Sequence, residues 1–331
     1  MCIRDRIGTV NPQHPALRPS SKPRGDNAAA APVIAEAGGK RLAVAAFLET
    51  VAGQGTAADR LAVELVAMDT ATHQAAWTLP LDVPEGVLGQ YDARQSATVL
   101  DVQGSTAVVA ITGDAHGAVL AVDLAARKPL WKQTGFLAAA VTGGQVVGVI
   151  PKDNGGAMQR LSALNLTDGR TVWSADADSY ETKVGAAGPA TVVVSGRDYN
   201  SGKDFSRLVD AATGREALGI DGGSGGVRCT YDGRSVTVCT TEGTVFAVDT
   251  ASTRQLWKLP DDANQRVAPT VTAVWHGLIY GSTKNGPVIL DARTGMDRPG
   301  SPQVAPSVVN GYAGLVLGDG RGALLAYPTT G

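Results

Sequence analysis

Hydrophobic and polar positions along this chain follow a pattern that repeats. A short apolar run, a two-residue turn containing Gly and a second apolar run recur seven times. The turns fall at Gly38-Gly39, Gln103-Gly104, Gly143-Gly144, Ala187-Gly188, Asp232-Gly233, His276-Gly277 and Asn310-Gly311. Several are dipeptides suited to positive φ, as a tight hairpin requires. The runs after the turns, among them TAVVAI, QVVGVI, ATVVVS and SVTVC, are apolar at consecutive positions. A strand of that kind meets water on neither face, so it belongs in a sheet covered on both sides. A third run then ends at Asp69, Asp123, Asn165, Asp210, Asp249 or Asp291, with Tyr327 at the equivalent place in the last copy. Successive spacings are 54, 42, 45, 39, 42 and 36 residues. A period of about 40–45 residues with four short strands predicts an all-β chain. The expected architecture is a seven-bladed β-propeller of four-stranded antiparallel sheets.

Eight residues beyond the strand-end Asp or Asn stand Trp77, Trp131, Trp173 and Trp257, while the fourth copy has Leu218 and the sixth Pro299. An indole recurring there is expected between neighbouring blades, its N–H on a carbonyl. The strand-end Asp or Asn can accept N–H bonds from turns such as LTDGR, AATGR and ARTGM, in which Gly supplies positive φ.

Strings such as AVDLAARKPLW, ALNLTDGRTVW and AVDTASTRQLW resemble the PQQ-like propeller repeat, whose consensus runs roughly ALD-x-x-TG-x-x-x-W. The resemblance covers residues 33–331 and is weakest in the last copy. It implies a fold, not an activity. The family includes quinoprotein dehydrogenases, the propeller lipoprotein of the outer-membrane β-barrel assembly machinery, and sensor domains attached to bacterial kinases. The dehydrogenases are much longer and carry a disulfide between adjacent cysteines and a catalytic Asp beside calcium. This chain has no adjacent Cys pair and no acidic cluster that matches, so the resemblance points to the non-enzymatic branch.

Residues 1–32, with Pro12, Pro15, Pro19, Pro23 and Pro32 and the run Ala28–Ala31, read as an extended lead-in to a propeller over 33–331. The last copy ends at Tyr327–Gly331, where its fourth strand should begin. That blade is therefore expected to be incomplete, or closed by the N-terminal segment around Ile7–Val10, which removes free edges. The opening MCIRDR reads as a translated adapter in place of the natural N-terminus, with which any export signal or membrane tether would have been lost.

Composition narrows the partners. A net charge of −2 without a basic block argues against nucleic acid. No run of 18 apolar residues is present, so the chain contains no helical membrane span. Cys229 and Cys239 flank the Asp232-Gly233 turn, either as a disulfide or as two buried thiols. A two-residue turn would set Cys229 opposite Val236, so a bridge needs a longer loop or a bulge. A bridge would indicate an oxidising, extracytoplasmic setting.

Candidate chemistry is sparse. Gly222–Gly226 matches G-x-S-x-G around Ser224, but no helix follows as a nucleophile elbow requires. His14, His73, His116 and His276 lack ligand spacing, and Asp153–Gly156 lacks the further acids of a calcium loop. Asn165-Leu166-Thr167 matches a glycosylation acceptor, yet Asn165 is already explained as a strand-end residue. No catalytic, metal or cofactor residue is assigned. The long connections Glu49–Arg60, Leu81–Thr98 and Arg197–Ser206 all emerge at one end of the predicted sheets. Within them Tyr91, Asp92, Arg94, Arg197, Asp198, Tyr199, Lys203 and Asp204 are the candidate partner-binding residues, aromatic and charged as interface anchors are. The resulting expectation is a monomeric, non-catalytic, extracytoplasmic propeller that binds a protein or peptide and needs no cofactor. The alternatives are a quinone-dependent oxidoreductase or small-ligand propeller, and an envelope protein assembly factor.

Overall fold

The computed structural model describes residues 32–88, 95–113, 116–152, 157–221, 226–299, 304–317 and 324–328. Ile7–Val10, Tyr91, Asp92, Arg94, Asp153–Gly156 and Ser224 lie outside them. The described residues form consecutive antiparallel strands, one short 3-10 turn at Asp262–Asn264, and no α-helix.

Each unit is a meander in which every strand pairs with the next. The first takes Val33–Ala37, Lys40–Val51, Arg60–Asp69 and Gln74–Leu81, and the second Ser96–Gln103, Thr106–Thr112, Gly117–Asp123 and Lys128–Thr134. The third takes Leu137–Thr142, Gln145–Pro151, Met158–Asn165 and Thr171–Ser174. The fourth takes Ser179–Ala186, Thr191–Asp198, Asp204–Asp210 and Glu216–Gly219. The fifth takes Arg228–Tyr231, Val236–Thr241, Thr244–Asp249 and Gln255–Leu259. The sixth, Thr270–Trp275, Leu278–Thr283 and Gly286–Asp291, and the seventh, Val308–Val309, Ala313–Leu317 and Leu324–Pro328, have three strands each among the described residues.

The expectation of four strands throughout is thus corrected in the sixth unit. There a fourth strand starts and stops. Asp291 N donates to Met296 O at 2.9 Å and Arg298 N to Ile289 O at 2.9 Å. Pro299 follows, and with no N–H it cannot extend the ladder.

The core lies between units. Side chains alternate across a strand, so a strand with neighbours on both faces must be apolar at every position. In Thr191–Asp198, Val192 and Val194 pack with the third unit while Val193 packs with the fifth. In Thr244–Asp249, Phe246 and Val248 face the fourth unit and Val245 and Ala247 the sixth. Corresponding clusters join the first unit to the second and the second to the third.

Turn geometry departs from expectation in four hairpins, in the seventh because three residues, 310–312, join its first two strands. The second hairpin turns at Gly104-Ser105, one residue later than expected. The fourth and fifth use four-residue connections, 187–190 and 232–235. In the fifth, the Asp232 carboxylate accepts the N–H groups of Arg234, Ser235 and Val236 at 2.8, 2.9 and 3.0 Å, which stabilises the longer loop. That loop sets Cys229 directly opposite Cys239, and the two form a disulfide.

Candidate partner-docking face

The repeat motif builds a rigid frame before any site is considered. At the strand ends, the Asp69 carboxylate accepts from Ala71 N and Thr72 N, Asp123 from Ala125 N and Ala126 N, and Asp210 from Thr213 N and its hydroxyl. Asn165 does the same through Thr167 N. The Ser252 N–H and hydroxyl, with Arg293 beyond them, hold the Asp249 carboxyl down to about 2.

The indoles reach across to the following unit. Trp131 Nε1 donates to Leu166 O at 2.8 Å, Trp173 to Ala211 O at 2.8 Å and Trp257 to Ala292 O at 2.9 Å. Each ring lies over a glycine of that unit's turn. A Cβ built on Gly169, Gly214 or Gly295 would stand 2.6 Å from the indole above it. Trp77 is half-buried against the cluster between the first two units.

On this frame the two ends of the sheets differ. One end carries short turns such as 38–39, 104–105, 143–144 and 276–277. The other carries the connections 52–59, 175–178, 199–203 and 260–269.

Half of the expected loop Arg197–Ser206 is strand. Arg197 pairs with Asp204 across the hairpin, leaving only 199–203 as its tip. Their side chains also meet, Arg197 Nε to Asp204 Oδ1 at 3.0 Å. The Asp198 carboxylate accepts from Ser201 N at 2.7 Å and Ser201 Oγ at 2.8 Å, and these bonds hold its carboxyl below the usual range. Arg197, Asp198 and Asp204 therefore serve their own hairpin. Tyr199 and Lys203 stand exposed at the tip, and the Tyr199 ring lies 5.3 Å from that of Tyr180.

Beneath this tip the third and fourth units are laced into one eight-stranded sheet. The first strand of the fourth unit starts early enough for Ser179 and Tyr180 to pair with Gln159 and Met158. A bulge follows, in which Glu181 takes φ of 49° and Thr182 N donates to Gln159 Oε1 at 3.0 Å. Arg160 Nε to Asp178 Oδ1 at 2.7 Å closes the junction and depresses the Asp178 carboxyl.

Two cavities flank Phe205 here. One of about 80 Å³ is bounded by Glu181, Lys183, Ser195, Arg197 and Asp204. The other, about 120 Å³, lies between the third and fourth units and is bounded by Leu161, Asp178, Val194, Asp198 and Arg207. Tyr180, Phe205 and Arg207 were not among the residues singled out from sequence. Alternation places Phe205 and Arg207 on the face turned toward the third unit, a relation that needs the neighbouring sheet to be known.

Glu49 is a further departure. Expected at the start of a loop, it lies within Lys40–Val51 and is only 1% exposed. Burial, reinforced by the Glu64 charge nearby, pushes its carboxyl up to about 7. Both carboxylates sit on the face of the first unit turned away from the second. Among the described residues no group of three or more His, Cys, Asp or Glu could hold a metal ion. No helix there is long and apolar enough to cross a membrane.

Comparison with known proteins defines the class. The family model for the outer membrane protein assembly factor BamB matches residues 33–175 and 157–316. The chain belongs to this family of PQQ-like β-propellers. No curated protein matches it. Among solved structures, the Dos1 propeller is 11% identical over 77% of this chain and 70% of that one, with a TM-score of 0.44. The β-propeller domain of the Trilobed protease from Pyrococcus furiosus, described as having an open velcro topology, is 10% identical over 83% of each chain, TM-score 0.44. The exotype rhamnogalacturonan lyase YesX is 16% identical over 88% of this chain and 59% of that one, TM-score 0.43. Likeness at that level carries no argument about this chain.

Proposed function

We propose that this chain is a seven-bladed, non-catalytic propeller that docks a protein or peptide partner in an extracytoplasmic compartment, in the manner of an assembly factor. The observation that carries this reading is the pairing of an exposed aromatic tip with a rigid base. Tyr199 is 48% exposed at the loop-rich end, on a hairpin fixed by Arg197–Asp204 and Asp198–Ser201 and set over the laced third and fourth units. A preordered aromatic anchor loses little entropy on binding, which favours a partner of stated shape over a mobile loop's many. The family name supports an assembly role, and the Cys229–Cys239 disulfide supports an oxidising compartment.

We further infer that residues 1–32 lead into a propeller over 33–331 whose last blade is either incomplete or closed by a strand from around Ile7–Val10, which lies outside the described residues. The docking reading is tested by photo-crosslinking in the native host. A photoreactive residue placed at Tyr199 or Lys203 should give discrete protein adducts, while one at Arg170 or Arg254, at the opposite end, should give none. Equal labelling from both ends, or none from 199 and 203, would rule it out.

A further inference from the structure

The smaller cavity lies on the face of the fourth unit turned toward the fifth and gathers polar groups that no other contact uses. Lys183 stands opposite Ser195 across one ladder and Ser195 opposite Ser206 across the next, so the three form one row. Alternation puts them on the side of Val193 and Leu208, which pack toward the fifth unit. Both serines are 7% exposed, and all three side chains border the cavity without a hydrogen bond or ion pair among the described residues. A Cβ built on Gly226, which also bounds the cavity, would stand 3.9 Å from Ser195 Oγ, so that hydroxyl lies on the cavity side.

Glu181 completes the set through a distortion of the chain. It sits in the bulge of Ser179–Ala186 with φ of 49°. The other non-glycine residues with positive φ among the described residues, His73, Arg127, Thr253, Gln265 and His276, all lie outside strands. A left-handed residue within a strand costs energy and re-aims its side chain, and here that side chain borders the cavity. Glu181 and Lys183 nonetheless form no ion pair among the described residues, while Arg197 and Asp204 at the rim neutralise each other. These facts select among ligands. An anion would satisfy Lys183 and the serine hydroxyls but would meet Glu181 as a like charge. A cation would do the reverse, and a neutral polyol would leave both charges without a counter-charge. A molecule with an ammonium beside a carboxylate answers both: the carboxylate accepts from Lys183 and the hydroxyls, and the ammonium donates to Glu181.

We propose that this cavity binds the charged head of a small zwitterion of the amino-acid type. A space of about 80 Å³ suits the ammonium and carboxylate of such a molecule, with any larger side chain left outside it. The site is separate from the docking contact at Tyr199 and does not depend on it.

The test uses the full chain labelled with nitrogen-15 and follows the backbone amides of Lys183, Ser195, Ser206 and Gly226. Glycine, acetate, methylammonium and glycerol are titrated at equal concentrations and constant ionic strength. Saturable shifts with glycine, larger than with any other probe, are expected. Lys183→Gln and Glu181→Gln each remove one charge at an exposed position, and each should weaken glycine binding roughly tenfold with thermal unfolding unchanged. Acetate equal to glycine would reduce the site to an anion pocket, methylammonium equal to glycine to a cation pocket, and either result overturns the proposal. So would an equal response to glycerol, no response to any probe, or full binding by both variants. Should a variant unfold, the ranking of the four probes on the wild type decides. Crosslinks from 199 and 203 test the docking reading separately, and their loss leaves this site standing.

Discussion

Gly169, Gly214 and Gly295 hold the same place in successive turns, with φ of 71°, 73° and 69°, and each lies beneath an indole of the preceding unit. Two demands coincide there: a left-handed backbone and no room for a Cβ. Where Leu218 replaces the Trp, Thr253 replaces the glycine, still at φ of 55°. Arg127, opposite Trp77, breaks this correlation, and nothing in the structure explains it. Gly214→Ala should cost at least ~2 kcal/mol, from the left-handed penalty and the displaced Trp173 ring together. Denaturant unfolding measures this, and a change within ~0.5 kcal/mol would contradict it. Glu49 makes a second prediction at this scale. Its carboxyl sits near 7 when folded against an ordinary 4.5, so the native state retains the proton. That contribution is complete below about 4.5 and is lost as pH rises through about 7. Glu49→Gln cannot ionise, so its stability should fall less between pH 5 and pH 8, by roughly 1–3 kcal/mol. Parallel unfolding curves at both pH values for the two proteins would refute the assignment.

Among elements, the fifth unit shows how a loop decides a covalent link. Its first strand has only four residues, Arg228–Tyr231, and the four-residue connection capped by Asp232 brings Cys229 level with Cys239. The bridge ties that short strand to Val236–Thr241 across a sequence separation of 10. Removing it as Cys229→Ala with Cys239→Ala should cost about 2–3 kcal/mol by the loop-entropy estimate. Thermal unfolding with and without reductant is the check: only the wild-type midpoint should respond to reductant. Strand positions, strand-end carboxylates and the bridging tryptophans were legible in the sequence, because each follows from a local rule of alternation or turn chemistry. The hairpin at Arg197–Asp204 was less so. Polar residues such as Arg197, Asp198 and Asp204 resemble loop until the cross-strand ion pair and the Ser201 bonds are seen.

For the whole molecule, the consequence of stacking units is that each junction is a small core of its own. Stability should then be graded along the chain, with amide exchange slowest where clusters join the first six units. The proposed closure makes a prediction at this scale. If the N-terminal segment closes the seventh unit, deleting residues 1–32 should lower the melting temperature by several degrees. An unchanged midpoint, with the seventh unit still protected from exchange, would exclude closure by this segment.

The sequence alone determined the period, the strand pattern and the place of each indole, because these depend on residues within one repeat or at a fixed offset in the next. Tertiary structure decided what separations in sequence conceal: the burial of Glu49, the lacing of Met158–Gln159 to Ser179–Tyr180, and the meeting of Asp198, Phe205 and Arg207 around one cavity. Those features arise where two sheets face each other. A strand's own pattern shows that both its faces are covered and leaves open which polar groups the neighbour will bring.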